Sequence, residues 1–345
     1  MPLYETLLRW YDQNKREFVF RGTRDPYQIW LSEIMLQQTR TETVVPYFER
    51  FTALFPTVEA LACAQEEEVL LAWQGLGYYS RARNLHAAAK KVWFELGGQF
   101  PRTVEGLLTL PGVGPYTAAA IASIAFDVPA PAMDGNLTRV FSRIHGIREN
   151  VEIPSVKRRL HEIAAGEMPP KRAGDFNQAL MDLGATICTP GTPDCERCPM
   201  QKYCTAYADG DADMLPVKSV KKAPKQVEYA VLLITCKNRI LMMQRKENLL
   251  KNLWVFPMEE NTSPEDIVSR LPRGHYSAPR FLGEGKHVFT HLIWQMKIYH
   301  LEADAMFDAP HGQWVTADEM DKLPKPTAIR SALKYAQNLP NHTKG

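Results

Sequence analysis

The chain has 345 residues, 45% of them hydrophobic and 23% charged, with a formal net charge of +2. This length supports two ordinary domains with filled cores, and the composition excludes a disordered or fibrous chain. No run of 18 uncharged apolar residues occurs, which excludes a helical membrane span; with so little net charge, a nucleic-acid partner must be argued from local patches. The opening stretch MPLYETLLRWYDQNKREF reads as an amphipathic helix with charges throughout, unlike a signal or transit peptide. A cytoplasmic location is therefore expected, where clustered thiols bind metal more readily than they pair as disulfides.

Next in the chain, YQIWLSEIMLQQTR surrounds one acid, Glu33, with Ile29, Trp30, Ile34, Met35 and Leu36. At helical spacing this carboxyl falls on an apolar face, where desolvation raises its pKa and suits it to act as a general acid. The alternative is a structural glutamate reaching a helix end or an arginine. Two glycine turns follow at a fixed separation. Gly75, Gly77, Tyr79 and Ala82 of WQGLGYYSRARNLHAAA stand 37 residues before Gly112, Gly114, Tyr116 and Ala119 of LLTLPGVGPYTAAAIASIAF. The second turn reads as a helix-hairpin-helix. Gly112 and Gly114 there let backbone approach a ligand, and the following helix N-terminus offers N–H groups to a phosphate. The first turn carries Leu76, Tyr78, Arg81 and Arg83, residues suited to wedging between bases and holding backbone. A duplicated structural hairpin remains open as the plainer reading. In PAMDGNLTRVFSRI, Leu137, Val140, Phe141 and Ile144 form one helix face. Asp134 stands at the start of that helix, as an N-cap or, with Glu33, as the second carboxylate of a pair that cleaves glycosidic bonds.

Four of the six cysteines lie in CTPGTPDCERCPMQKYC, as Cys188, Cys195, Cys198 and Cys204. Only Cys195 and Cys198 form a short knuckle, so the spacing favours a [4Fe–4S] cluster over zinc, with free or redox thiols as the remaining alternative. Cys63 and Cys236 read as packing residues. Lys171, Arg172, Arg197 and Lys202 give the loop a basic surroundings, either for phosphate or as a solvated face. LPVKSVKKAPKQ, residues 215–226, reads as a basic linker. Beyond it, YAVLLIT and RILMMQR are strand-like and meet at Lys237-Asn238, while HLIWQMKIY alternates Leu292, Trp294, Met296 and Ile298 on one face.

The hairpin, the aspartate after it and the cysteine loop, in that order over about residues 1–210, resemble the endonuclease III superfamily of base-excision DNA glycosylases. SEIMLQQTR, WQGLGYYSRARNL, GVGPYTAAA, DGN and FNQALMDLGA resemble its adenine DNA glycosylase (MutY) branch, and NLWVFP resembles the Nudix fold. The resemblance implies a multidomain chain. Residues 1–214 would be an all-α helix-hairpin-helix glycosylase domain, with the hairpin at about 103–125 and a [4Fe–4S] loop at 188–204; residues 227–345 would be an α+β Nudix-like domain that reads 8-oxoguanine. It implies removal of adenine opposite 8-oxoguanine or guanine in duplex DNA, by a monomer needing no small-molecule cofactor, in a bacterial-type, nucleoid-associated setting.

By the same resemblance Glu33 protonates the flipped base, Asp134 stabilises the charge developing on the sugar, and Tyr116 and Asn136 orient the two acids. Gln38, Leu76 and Tyr78 match residues that enter the duplex. Arg16, Arg21, Leu36 and Gln178 match residues around the base, Thr39 counts with the DNA-binding residues, and Phe289, Thr290 and His291 match the loop that meets the lesion. Bifunctional relatives carry a lysine where this chain has Tyr116, and a phenol cannot form their imine. Phe20 replaces a family tryptophan, and Thr290 a serine. EENTSPEDIVSRL replaces the acidic metal helix of Nudix hydrolases, so this domain is expected to bind and not to hydrolyse. The other enzyme reading is an endonuclease III-type glycosylase and lyase; outside enzymes, it is a non-catalytic iron–sulfur DNA-binding protein.

Overall fold

The computed structural model describes residues 2–219 and 223–339, in two compact units. One comprises residues 1–63 and 84–221, the other 64–83 and 222–345.

The first unit is helical. Its opening helix, Leu3–Asn14, buries Leu3, Leu7, Leu8 and Tyr11 on one stripe. These pack with Val140, Phe141 and Ile144 of helix Gly135–Ile144 and with Phe176, Ala179, Leu180 and Leu183 of helix Ala173–Thr186. Each buried Leu or Phe contributes on the order of 1.5–3 kcal/mol. Helix Pro26–Leu36 begins at Asp25, whose side chain accepts from the Tyr27 N–H, with Pro26 at the first helical position. Ile29, Trp30, Leu31, Ile34 and Met35 bury it almost all round, and Glu33 is buried among them. Against it packs helix Pro115–Phe126, whose small residues Ala118, Ala119, Ala120 and Ala122 permit close approach. Gly112, at φ +74°, turns the chain into that helix, and a Cβ there would lie 2.6 Å from the side chain of Asn84. Around Gly114 the space is open. Cys63, expected in a core, is exposed, because Leu61 and Ala62 occupy the inward positions of its short helix; Cys236 is buried as expected.

The second unit is an α+β domain around one mixed seven-stranded sheet. Its strands are β1 (Lys225–Cys236), β2 (Arg239–Gln244), β3 (Trp254–Val255), β4 (Met258–Glu260), β5 (Arg280–Val288), β6 (Leu292–Glu302) and β7 (Gly312–Val315). The order is β3-β2-β1-β6-β5, with β4 on β1 and β7 on β2; β1 and β6 run parallel and the other pairs antiparallel. Lys237, at φ +55°, makes the tight turn that registers Cys236 against Arg239. From Ala230 to Ile234 β1 is apolar without alternation because both its faces are covered: Val231 and Leu233 enter one core, Leu232 and Ile234 the other. β6 alternates, with Trp294, Met296 and Ile298 buried together. After β4 the helix Pro264–Ser269 spans only 6 residues.

Residues 64–83, which the sequence reading counted with the helical domain, group with this sheet. Four hydrogen bonds tie them there. Asn252 Nδ2 donates to Glu66 Oε1 at 2.7 Å, Lys325 N to Gln74 Oε1 at 3.0 Å, Tyr79 Oη to the Lys325 carbonyl at 2.8 Å, and Arg83 Nη1 to the Lys251 carbonyl at 2.8 Å. The start of the expected linker is fixed on the first unit, where Leu215 O accepts from Arg143 Nε and Val217 O from Val151 N. Residues 220–222 of that linker and 340–345 of the expected second domain lie outside the described residues. Among the described residues no helix is long and apolar enough to cross a membrane.

Candidate active site

In the helical unit, Glu33, Tyr116, Asp134 and Asn136 line one cavity of about 240 Å³, together with Arg16, Arg21, Leu36, Thr39 and Gln178. Glu33 is 6% exposed and accepts a hydrogen bond from Tyr116 Oη at 2.5 Å. Burial raises its pKa against the lowering influence of that bond and of nearby Arg21, and the negative charge of Asp134 raises it further. Burial and Glu33 together push the Tyr116 phenol up, so it remains a donor.

Asp134 caps its helix, Oδ1 accepting from the Leu137 N–H at 2.7 Å, while Oδ2 accepts from Asn136 Nδ2 at 2.9 Å. The amide of Asn136 is held the right way round by Arg139, whose Nη2 donates to its Oδ1 at 2.8 Å; Arg139 also donates to the carbonyls of Gly184 and Cys188, both at 2.7 Å. Capping and facing the cavity are thus one arrangement. Burial raises Asp134 as well, opposed by its N–H donors and by Arg139.

Sequence reasoning missed Asp182. Its side chain is fully buried and lies on helix Ala173–Thr186 one turn beyond Gln178. Arg16 Nε donates to its Oδ1 at 2.8 Å, and Arg21 grips both oxygens at 2.7 and 2.9 Å. The available signal was a lone acid between Leu180 and Leu183 in an otherwise buried run. Phe18 was missed too. It lines the cavity, stacks on Phe20 at 5.3 Å and lies under both guanidinium groups, at 5.1 Å from Arg16 and 5.5 Å from Arg21. Phe20, in the tryptophan position, is buried edge-on against Phe48.

Gln38 is exposed at φ +56°, and Gly112 is exposed beside the half-buried Gly114. In the second unit Leu76 is buried while Tyr78 is 47% exposed at φ +48°. There Phe289, Thr290 and His291 form the turn from β5 to β6, closed by a 2.7 Å bond from Phe289 N to the Leu292 carbonyl. Phe289 packs edge-on against Trp294, and Thr290 and His291 are exposed.

Cys188, Cys195, Cys198 and Cys204 line a second cavity in the helical unit with Arg143. That arginine is 1% exposed; its Nη1 reaches Cys188 Sγ at 3.3 Å and it donates to the carbonyls of Thr189, Gly191 and Leu215. Among the described residues no three His, Cys, Asp or Glu side chains converge to hold a single ion. An iron–sulfur cubane takes one thiolate on each of four irons, so its ligands surround a volume and do not meet at a point. Four thiols lining one cavity are a donor set that fits such a cluster. Burial pushes the Cys198 thiol up to about 12 and raises Cys195 and Cys204, so ligation would release their protons.

Residues 31–165 match the model of the HhH-GPD superfamily base excision DNA repair proteins, and residues 229–335 match the NUDIX domain model. The chain is 35% identical to the adenine DNA glycosylase of Rattus norvegicus, over 98% of this chain and 78% of that one. The chain belongs to the adenine DNA glycosylase family. It is also 34% identical to the adenine DNA glycosylase of Buchnera aphidicola subsp. Baizongia pistaciae, covering 85% of this chain and 84% of the relative. As a member of this family it is a DNA glycosylase enzyme. A thermostable thymine-DNA glycosylase structure aligns with TM-score 0.54 and 33% identity over 60% of this chain and 95% of that one. A trapped endonuclease III–DNA covalent intermediate shares the fold, with TM-score 0.51 and 23% identity over 60% and 95%.

Proposed function

We propose that this enzyme excises adenine from duplex DNA where it faces 8-oxoguanine, and more slowly where it faces guanine, without cutting the strand. The observation that carries the reading is the Glu33–Tyr116 pair with Asp134 in the same cavity. Burial and the neighbouring Asp134 charge favour the protonated form of Glu33, which can donate to a ring nitrogen of the flipped base and make the base a better leaving group. Burial raises Asp134, but its N–H donors and Arg139 oppose that and favour its anion, equipping it to stabilise the positive charge growing at C1′. Once ionised, Glu33 can direct water to that carbon.

No lysine is among the residues lining the cavity, and Tyr116 supplies a phenol where imine chemistry would need an amine. That supports glycosylase action alone. Preference for 8-oxoguanine rests on the exposed turn Phe289–His291 and Tyr78. Cys188, Cys195, Cys198 and Cys204 would hold a [4Fe–4S] cluster, whose contribution is to bind the loop into one structural piece; iron and acid-labile sulfide analysis of the purified protein tests this, and a zinc content with no iron would refute it.

The experiment for the function is single-turnover adenine release from duplexes carrying 8-oxoguanine:A, G:A or T:A, with and without alkali afterwards. Fastest release from 8-oxoguanine:A, with strand breaks only after alkali, is the expected result. Strand cleavage without alkali would reinstate the lyase reading; binding without release would reduce the protein to a DNA-binding scaffold.

A further inference from the structure

Asp182 is not itself among the residues lining the base cavity, yet its carboxylate is heavily bonded to two that are. Its two oxygens accept from Arg16 N at 3.1 Å, from Arg16 Nε and Nη2, both at 2.8 Å, and from Arg21 Nη1 and Nη2 at 2.7 and 2.9 Å. Two cations therefore share one fully buried anion, and both lie over the face of Phe18 on the cavity wall. Of these, Arg21 bears electrostatically on Glu33, where a positive charge favours the ionised carboxylate. A general acid must keep its proton until the base arrives. Arg21 lines the cavity wall, but its bare charge would work against the acid in the same cavity.

We propose that Asp182 is a positioning residue for the glycosylase reaction: it fixes Arg16 and Arg21 on the cavity wall and supplies the counter-charge to Arg21 where that cation faces the same cavity as Glu33. The proposal rests on the reading of Glu33 as general acid. The groups that face Glu33 are few. Tyr116 donates to it from helix Pro115–Phe126, Arg21 acts from the loop before helix Pro26–Leu36, and Asp134 acts from the start of helix Gly135–Ile144. Within its own helix Glu33 has only apolar or uncharged neighbours. Among the described residues Arg21 is the cation bearing on it, and Asp182 is the partner of that cation.

The test is the pH dependence of single-turnover adenine release by the holoenzyme and its variants. Asp182→Asn leaves both guanidinium groups without a counter-charge, so the falling alkaline limb should move down by about 1 pH unit, with activity recovered at lower pH. Arg21→Gln removes the cation and should move the same limb upward. Asp182→Glu keeps the charge and should keep the limb near that of the wild type. A merely structural Asp182 would lower the rate by one factor at every pH, and that result overturns the proposal. If Asp182→Asn does not fold, an unmoved limb in Arg21→Gln overturns it equally. A wild type inactive on every duplex would sink the acid role of Glu33, and this proposal with it, whereas an active wild type whose limb ignores both substitutions would sink this proposal alone.

Discussion

The hydroxyl of Tyr78 lies 2.8 Å from that of Thr290, 212 residues further along the chain. One belongs to the first glycine turn, held open by Gly75 and Gly77 at φ +106° and +72°; the other is at the tip of the β5–β6 turn. The extra methyl of threonine restricts its side-chain rotamers, which helps aim the hydroxyl at the phenol. The side chain proposed to enter the duplex and the one proposed to meet the lesion would then move as one piece.

Tyr78→Phe and Thr290→Val each break this bond while keeping bulk. Each is expected to reduce the preference for 8-oxoguanine:A over G:A, with a stability loss of about 0.5–1 kcal/mol. The double variant should be little worse than either single one, and fully additive losses in the ratio of single-turnover rates would show that the two act separately.

Glu33→Gln should lower adenine release by roughly 100-fold or more, the scale of general-acid catalysis, while duplex binding persists. The same change should stabilise the fold at neutral pH. Glu33 is raised in the folded state, so the protein loses stability as pH climbs from the unfolded carboxyl value through the folded one. Glutamine has no charge to bury. Thermal melts should therefore show the variant above wild type at pH 8 and level with it near pH 4; equal melting points at both would mean that Glu33 carries no burial penalty.

Tyr116→Phe deletes the hydroxyl that favours the Glu33 anion. The acid should hold its proton to higher pH, so the alkaline limb of adenine release shifts upward even as the rate falls by roughly 10-fold through lost orientation. A limb shifted downward would contradict the hydrogen-bond direction given above.

Arg139→Ala leaves the carbonyls of Gly184 and Cys188 and the Asn136 amide without their donor. The expected loss is at least about 2 kcal/mol of stability, because buried acceptors go unsatisfied. Adenine release should slow as well, since Asn136 would no longer be oriented toward Asp134. A variant with a lowered melting point and an unchanged rate would separate the two roles.

Much of the site could be read in the chain because its signals are local. Glu33 stands alone within an apolar helix, Asp134 sits at a helix start, and β1, β2 and β6 declare themselves through apolar runs and a period of two. The four cysteines needed only their spacing. What stayed hidden is long-range pairing: Arg16 and Arg21 were singled out for the base, but their carboxylate partner is 166 and 161 residues away and looks like any other helix acid. The exposure of Cys63 and the burial of Leu76 were equally out of reach, since both depend on which face of a short segment its neighbours cover.

Residues 64–83 belong with the sheet through Glu66, Gln74, Tyr79 and Arg83, so the chain passes into the second unit, returns to the first, and only later comes back. Cutting the polypeptide at residues 215–226 would therefore not release two self-sufficient halves. The shortened protein would keep a 20-residue excursion stripped of Lys251, Asn252 and Lys325, the residues that anchor it. Any loss of activity after such truncation would mix the missing sheet with a loosened Tyr78 turn, and the roles of the two units are better separated by point substitution than by scissors.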